Sequence, residues 1–211
     1  MRDLAYQFAQ LSNAIERQVG SDRFAVGLVG CEEGVGTTSI ARGFAEYLDR
    51  RQPTTCVYVE TDWRVFEHAK NMPSMPMPGL SEVVLGHAQL KDALCSAADS
   101  AGYSILHSGN AAALSCVEAP ALHASGQTIL TTLRERFRRV VVDIAPLGTE
   151  TFASVLAPLL DGLILVIECE TSRWEVADAT VESINAIGGK IVGAVLNKKR
   201  YHIPTWLYRL L

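Results

Sequence analysis

No C-x-x-C pair occurs in this chain, although it holds five cysteines: Cys31, Cys56, Cys95, Cys116 and Cys169. Structural zinc sites are built from such pairs, so that class is excluded. Scattered thiols are expected of a reducing cytoplasm. Cys56 and Cys169 lie in apolar runs and are expected to act as small core hydrophobes. No apolar run reaches the ~20 residues that cross a membrane. Met1-Arg2-Asp3 leads into an amphipathic stretch, so neither a signal peptide nor a membrane span is expected. Positive charge is scarce as well: 19 Lys and Arg stand against 23 Asp and Glu, a net charge of −4. That balance excludes a broad nucleic-acid-binding surface. Internal repeats and low-complexity tracts are missing too.

What is present is a globular composition, 48% apolar and 20% charged. The 211 residues suit a single α/β domain with a good core. Residues 1–20 read as an N-terminal helix and residues 198–211 as a basic and aromatic tail. Six apolar runs of strand length are rich in β-branched residues: Phe24–Val29, Thr55–Glu60, Tyr103–His107, Arg139–Asp143, Gly162–Glu168 and Lys190–Leu196. Runs apolar on both faces indicate parallel strands covered by helices. Helical patterns lie between them at Ser39–Arg51, Gln127–Arg138 and Arg173–Ile187, with shorter ones near Ser81–Leu85 and Leu90–Ala98. The expected fold is a doubly wound, mostly parallel α/β sheet with helices on both faces. Ligands are expected at the carboxyl ends of its strands.

The first strand runs into Gly30-Cys31-Glu32-Glu33-Gly34-Val35-Gly36-Thr37-Thr38, and a helix then opens. Backbone N–H groups of such a turn, with a helix N-terminus, cradle phosphates. The working pattern is G-x-x-x-x-G-K-[ST]: the lysine meets the β/γ-phosphates and the hydroxyl holds Mg²⁺. Gly36 fills the second glycine position and Thr38 the hydroxyl position, but Thr37 stands where the lysine belongs. Cys31 occupies the first glycine position. Glu32 and Glu33 add negative charge if they point inward. At ~5 Å and an effective dielectric of about 20, each unit pair is worth on the order of 3 kcal/mol, less once solvent screens it. The nucleotide-binding candidates are Gly34, Gly36, Thr37 and Thr38, and binding is expected to be weak. The alternative is a glycine turn with no ligand.

Acidic groups end two of the strands. Cys56-Val57-Tyr58-Val59-Glu60-Thr61-Asp62-Trp63-Arg64 places Glu60 and Asp62 beside the loop, and Val140-Val141-Val142-Asp143 repeats the arrangement, with Pro146 three residues on. Such carboxylates orient Mg²⁺, a water or a hydroxyl nucleophile. Thr38, Asp62 and Asp143 are the metal-side candidates. Glu60, Asp62 and Asp143 are the catalytic ones if the chain is active. Each could instead be a helix cap or a solvated strand end. Lys70–Gly79 interleaves Pro73, Pro76 and Pro78 with Met72, Met75 and Met77, and reads as a partner-facing loop. The tail sets Lys198-Lys199-Arg200 before Ile203, Trp206, Leu207, Tyr208, Leu210 and Leu211. Arg200, Tyr201, Trp206 and Tyr208 are its interaction candidates, toward a partner protein or an anionic membrane surface. Packing on its own domain is the alternative.

Taken together, these segments resemble the cytoplasmic domain of bacterial tyrosine kinases that control capsule and exopolysaccharide synthesis, relatives of the MinD and ParA partition ATPases. The resemblance covers nearly the whole chain. VYVETDWR resembles the family's second acidic motif, with Glu60 where its first aspartate is expected. Gly79–Leu94 (GLSEVVLGHAQLKDAL) is similar to a segment typical of this family. RVVVDIAP and DGLILVIECETSR resemble its next two strand motifs. GAVLN resembles the strand whose terminal asparagine, here Asn197, reads adenine in the wider superfamily. The resemblance implies ATP or ADP with Mg²⁺ as ligand, bound weakly or not at all. It also implies a membrane-bound polysaccharide chain-length (co-polymerase) partner and a place at the inner face of the membrane. The departures are as informative. The family's E-x-x-R-x-x-R oligomerisation motif would fall on Tyr6, Ala9 and Ser12, so a monomer or dimer is expected. Only Tyr201 and Tyr208 remain of the usual tyrosine cluster. These changes together point to a pseudokinase-like regulator or scaffold. The runner-up is an active ATPase or tyrosine autokinase taking its cation from Arg42, Arg64 or a partner chain. A third reading is a MinD-like protein that positions itself on membrane.

Overall fold

The strand Phe24–Gly30 (β1) is buried at every position because it lies in the middle of the sheet. The computed structural model describes residues 2–62, 78–97, 102–109, 114, 117–147 and 151–199. β1 pairs in parallel with Arg139–Ile144 (β5) on one side and Gly162–Glu168 (β6) on the other. Cys56–Glu60 (β2) pairs in parallel with β5 and with Ser104–Leu106 (β4), and Ile191–Asn197 (β7) pairs in parallel with β6. Leu94–Ser96 (β3) completes the order β3-β4-β2-β5-β1-β6-β7 and is the antiparallel member. The doubly wound α/β reading therefore holds. So does the physical basis for it: β-branched runs apolar on both faces became strands covered on both faces.

The helices are Arg2–Val19 (α1), Thr37–Arg51 (α2), Leu80–Val84 (α3), Leu90–Ala93 (α4), Ala119–Arg136 (α5), Thr151–Leu156 (α6) and Trp174–Ala186 (α7). α1 lies against α2. Phe8 and Ile15 are buried, and the Phe8 ring sits 5.8 Å from Phe44 and 6.0 Å from Tyr47. Leu4, at the outer end of the same apolar stripe, is 55% exposed. Gly27 lets the sheet and its covering layer meet: a Cβ there would stand 2.7 Å from Leu163, 2.8 Å from Leu160 and 2.9 Å from Ile144. The start of β1 is fixed by Asp161, which accepts from the Ala25 N–H at 2.7 Å and pairs with Arg134 at 2.9 Å.

Three expectations need correction, and one helix went unpredicted. Leu90–Ala98 is not one helix. After α4 the chain extends, because the open edge of β4 offers backbone partners that override a short helical pattern. α5 begins eight residues earlier than its apolar pattern, at a Pro-containing first turn that suits a helix start. α6 left no periodic signal in so short a segment. Cys169 is a half-buried turn residue after β6, whereas Cys56 is fully buried as expected. Cys116, Arg64, the Met/Pro stretch at 70–77 and the tail residues Arg200, Tyr201, Trp206 and Tyr208 lie outside the described residues.

Candidate functional site

The loop from Cys31 to Gly36 closes over the carboxyl end of β1. Gly34 and Gly36 take left-handed backbone at φ 79 and φ 92, which glycine adopts without strain. Gly36 is also the residue before α2 and supplies no side-chain cap. The first N–H groups of α2 are therefore offered to a ligand, with the positive end of the helix dipole behind them. A cavity of about 470 Å³ opens here. Gly34, Gly36, Thr37 and Thr38 line it from the loop, Asp62 and Asp143 from the strand ends, and Glu32 and Glu33 from the rim. Both glutamates are exposed, so solvent blunts their repulsion of an anion. Six of the predicted site residues thus share one cavity.

Asp143 is buried where β5 ends. The Tyr58 hydroxyl donates to its Oδ2 at 3.0 Å, and the Thr38 hydroxyl is hydrogen-bonded to it as well. Burial nevertheless pushes the carboxyl up to about 6, with Glu60 and Asp62 adding to the effect. A divalent cation would reverse that, since it favours the ionised carboxylate. The donor set fits Mg²⁺: one hydroxyl, two carboxylates and room for phosphate oxygens, with no dedicated protein cage. Thr38, Asp143 and Asp62 are the residues that would hold it.

Glu60 stands outside the cavity. It is buried, ion-paired with Arg42 and hydrogen-bonded to His107 Nδ1 at 2.9 Å. Burial opposes its charge, but those two partners outweigh burial and hold it below the usual carboxylate range. Arg42 stacks over the Tyr58 ring at 5.6 Å. The guanidinium proposed as a substitute cation is therefore committed to Glu60. Glu60, Arg42 and Tyr58 together buttress Asp143 from behind. The sequence reading missed Tyr58 and His107. Tyr58 sits one alternation inward from the acidic strand end, and His107 directly follows β4, the neighbour of β2.

Asn197 also lies outside the cavity, against the far side of the loop. Its Nδ2 donates to the Val35 carbonyl at 2.7 Å. Lys198 donates to the Gly34 carbonyl at 2.7 Å and pairs with Glu168 at 2.7 Å. The first residue of the basic triplet thus belongs to the loop rather than to the tail.

No protein-family profile matches the chain. It is 25% identical over 184 residues to the succinoglycan biosynthesis transport protein ExoP of Rhizobium meliloti, a match covering 85% of this chain and 23% of that protein. It is 34% identical over 71 residues to the putative tyrosine-protein kinase CapB of Staphylococcus aureus, covering 34% of this chain and 31% of that one. Proteins named as tyrosine-protein kinases in Staphylococcus aureus and Streptococcus agalactiae are among its relatives. The matched stretches span about a quarter to a third of those relatives' length. Among solved structures, the chimerical protein CapA2B2 superposes with a TM-score of 0.75 at 20% identity, over 92% of this chain and 84% of that one. The VpsO kinase domain gives 0.72 at 24% identity, over 95% and 100%. A cobyrinic acid a,c-diamide synthase of Mycobacterium smegmatis, solved with an ATP analogue and magnesium, gives 0.66 at 18%, over 86% and 84%. These likenesses establish a P-loop NTPase fold.

Proposed function

We propose that this chain is a tyrosine-kinase-like, nucleotide-binding protein that does not transfer phosphate. In this reading it acts as a regulator or scaffold in exopolysaccharide or capsule biosynthesis and export. One observation carries the proposal: the loop keeps its cradle and its Mg²⁺-side groups, while Thr37 stands at the position of the phosphate-binding lysine. Thr38, Asp143 and Asp62 orient a Mg²⁺–ATP or Mg²⁺–ADP complex, with Mg²⁺ supplying charge neutralisation when bound. Without the lysine, charge developing on the transferred phosphoryl is left under-stabilised, and removing one such group typically costs ~10²-fold or more in rate. A membrane-bound chain-length protein is the partner this reading implies, met at the cytoplasmic face of the membrane. No helix among the described residues is long and apolar enough to cross a bilayer. A monomer or dimer fits best, because Ser12, one of the positions an oligomerisation arginine would occupy, is buried and hydrogen-bonded to Glu16.

The test is a calorimetric titration with Mg²⁺–ATP. The unsubstituted chain is expected to bind weakly. Thr37→Lys should bind about tenfold more tightly or better, since it restores an ammonium opposite the β/γ-phosphates. Adding Glu32→Ala and Glu33→Gly should improve binding further. Unchanged affinity in the triple variant would mean that the loop is a structural turn, and the nucleotide part of the proposal would fall.

A further inference from the structure

β7 is the exception to the covering of the sheet. It is the outer strand beside β6, and none of its seven residues is buried. Of the thirteen residues of α7, the helix that leads into it, Ile184 is the buried one. Trp174 and Leu196 stand toward the same end of these two elements and are 73% and 65% exposed. Apolar side chains exposed singly are ordinary and need no explanation. These two belong to one continuous surface.

Register and helix period place them there. Leu165 pairs with Ala194 and Ile167 with Leu196, so all four side chains point to one face of the sheet. Leu163 shares that face, and a Cβ placed on Gly189 would meet it and Ile184 of α7 alike, each at 2.9 Å. α7 therefore lies over this same face. One flank of α7, with Val176, Thr180 and Ser183, lines a small cavity together with Gly30, Pro146 and Leu147, on the side of β1 and β5. The other flank carries Trp174, Ala177 and Val181 at i, i+3 and i+7, and turns toward β7. With Ala194 and Leu196 these three make an apolar strip along the edge of the sheet. Glu175, Asp178 and Glu182, all exposed, form the next stripe round the helix and give the strip an acidic rim.

We infer that the strip is the docking surface for the chain's own residues 203–211, which lie on it as an amphipathic helix. Position, pattern and charge choose this occupant. The described residues leave β7 at Lys199, just past Leu196, so the segment that follows is tethered at the strip. A short tether gives an effective concentration on the order of millimolar, which favours this segment over a free partner. Ile203, Trp206, Leu207, Leu210 and Leu211 recur at i, i+3, i+4, i+7 and i+8, one apolar stripe of a helix, and Pro204 suits its first turn. Nine helical residues span ~14 Å, which fits along a seven-residue strand of about 20 Å. Arg200 and Arg209 meet the acidic rim, and no acidic residue lies between Lys198 and Leu211. The inference does not depend on the nucleotide reading. It assigns Trp206 to the chain's own domain rather than to a membrane or a partner protein.

Thermal midpoints of the whole chain and three variants test this. Leu196→Thr removes apolar surface from the strip and keeps strand propensity. Trp206→Ser with Leu207→Ser undocks the tail, and the third variant combines all three changes. Leu196→Thr should lower the midpoint by about 2–6 °C and the tail variant by about 4–10 °C. The combined variant should fall no more than about 1 °C below the tail variant, because an undocked tail leaves Leu196 in water already. All midpoints should be independent of protein concentration. A Leu196→Thr midpoint within about 1 °C of the parent overturns the inference, since the strip is then open. Additive losses overturn it too, by placing the tail on another surface. A parent midpoint that rises with concentration, with a dimer in sedimentation that the tail variant lacks, would make the occupant the tail of a second copy. Cosedimentation of the parent with phosphatidylglycerol vesicles, lost in the tail variant and kept in Leu196→Thr, would give the tail to membrane. Either result contradicts docking within one chain.

Discussion

Replacing Phe44 by alanine is expected to lower stability by about 3–5 kcal/mol, the usual range for a buried aromatic that leaves a cavity. Phe44 is fully buried on α2 and packs its ring against Phe8 of α1. It couples three parts of the molecule: the N-terminal helix, the sheet and the helix that opens at the phosphate loop. A loss of that size is a large share of the roughly 5–15 kcal/mol that domains possess. It corresponds to a fall in thermal midpoint of about 6–20 °C for a chain of this length. Scanning calorimetry or a melt followed by circular dichroism checks it. A fall below about 2 °C would mean that α1 is not docked as described. The apolar stripe of α1 would then be available for contacts between copies of the chain, against the monomer or dimer proposed above.

The second large effect concerns Asp143 and has a defined sign with pH. Its carboxyl titrates near 3.8 when unfolded and is pushed up to about 6 in the fold, chiefly by burial. Between those values the folded chain binds more protons than the unfolded one. Stability therefore falls as pH rises through this window and stays reduced above it. A displacement of that size corresponds to about 3 kcal/mol. Asparagine removes the charge but turns an amide toward donors at Tyr58 and Thr38, which takes back part of the gain. Asp143→Asn is thus expected to stabilise the nucleotide-free protein by about 1–2 kcal/mol at pH 8, a rise of about 2–8 °C, and by little or nothing at pH 4. The same variant should lose the Mg²⁺-dependence of nucleotide binding. Equal destabilisation at both pH values would show that Asp143 matters here only as a hydrogen-bond acceptor.

Much of this was legible in the residues themselves. The β-branched runs carried the strands, and all six expected ones lie within one residue of the observed bounds at either end. Gly34, Gly36, Thr37, Thr38, Asp62 and Asp143 were recognisable because each sits at a fixed offset from a strand end, and a parallel sheet gathers such ends at one edge. What escaped was whatever depended on neighbours across the sheet. β3 exists because β4 has an open edge, which no local pattern announces. Glu60 looked like a cavity carboxylate by position, yet the strand turns it toward Arg42 and His107, and only the order β4-β2-β5 brings those groups together. Lys198 looked like the head of a basic tail because lysine and arginine follow it. Its role emerges only once β7 is placed two strands from β1.

The central claim is that the nucleotide is held without being cleaved. Its most direct test is to incubate the purified protein with Mg²⁺–ATP, quench the whole mixture after extended incubation, and identify both the nucleotide and any phosphotyrosine on the chain. The expected result is intact ATP, as in a control without protein, with no tyrosine phosphate above a control lacking nucleotide. Recovery of ADP together with phosphate on Tyr201, Tyr208 or any other tyrosine would contradict it and establish a working kinase despite Thr37.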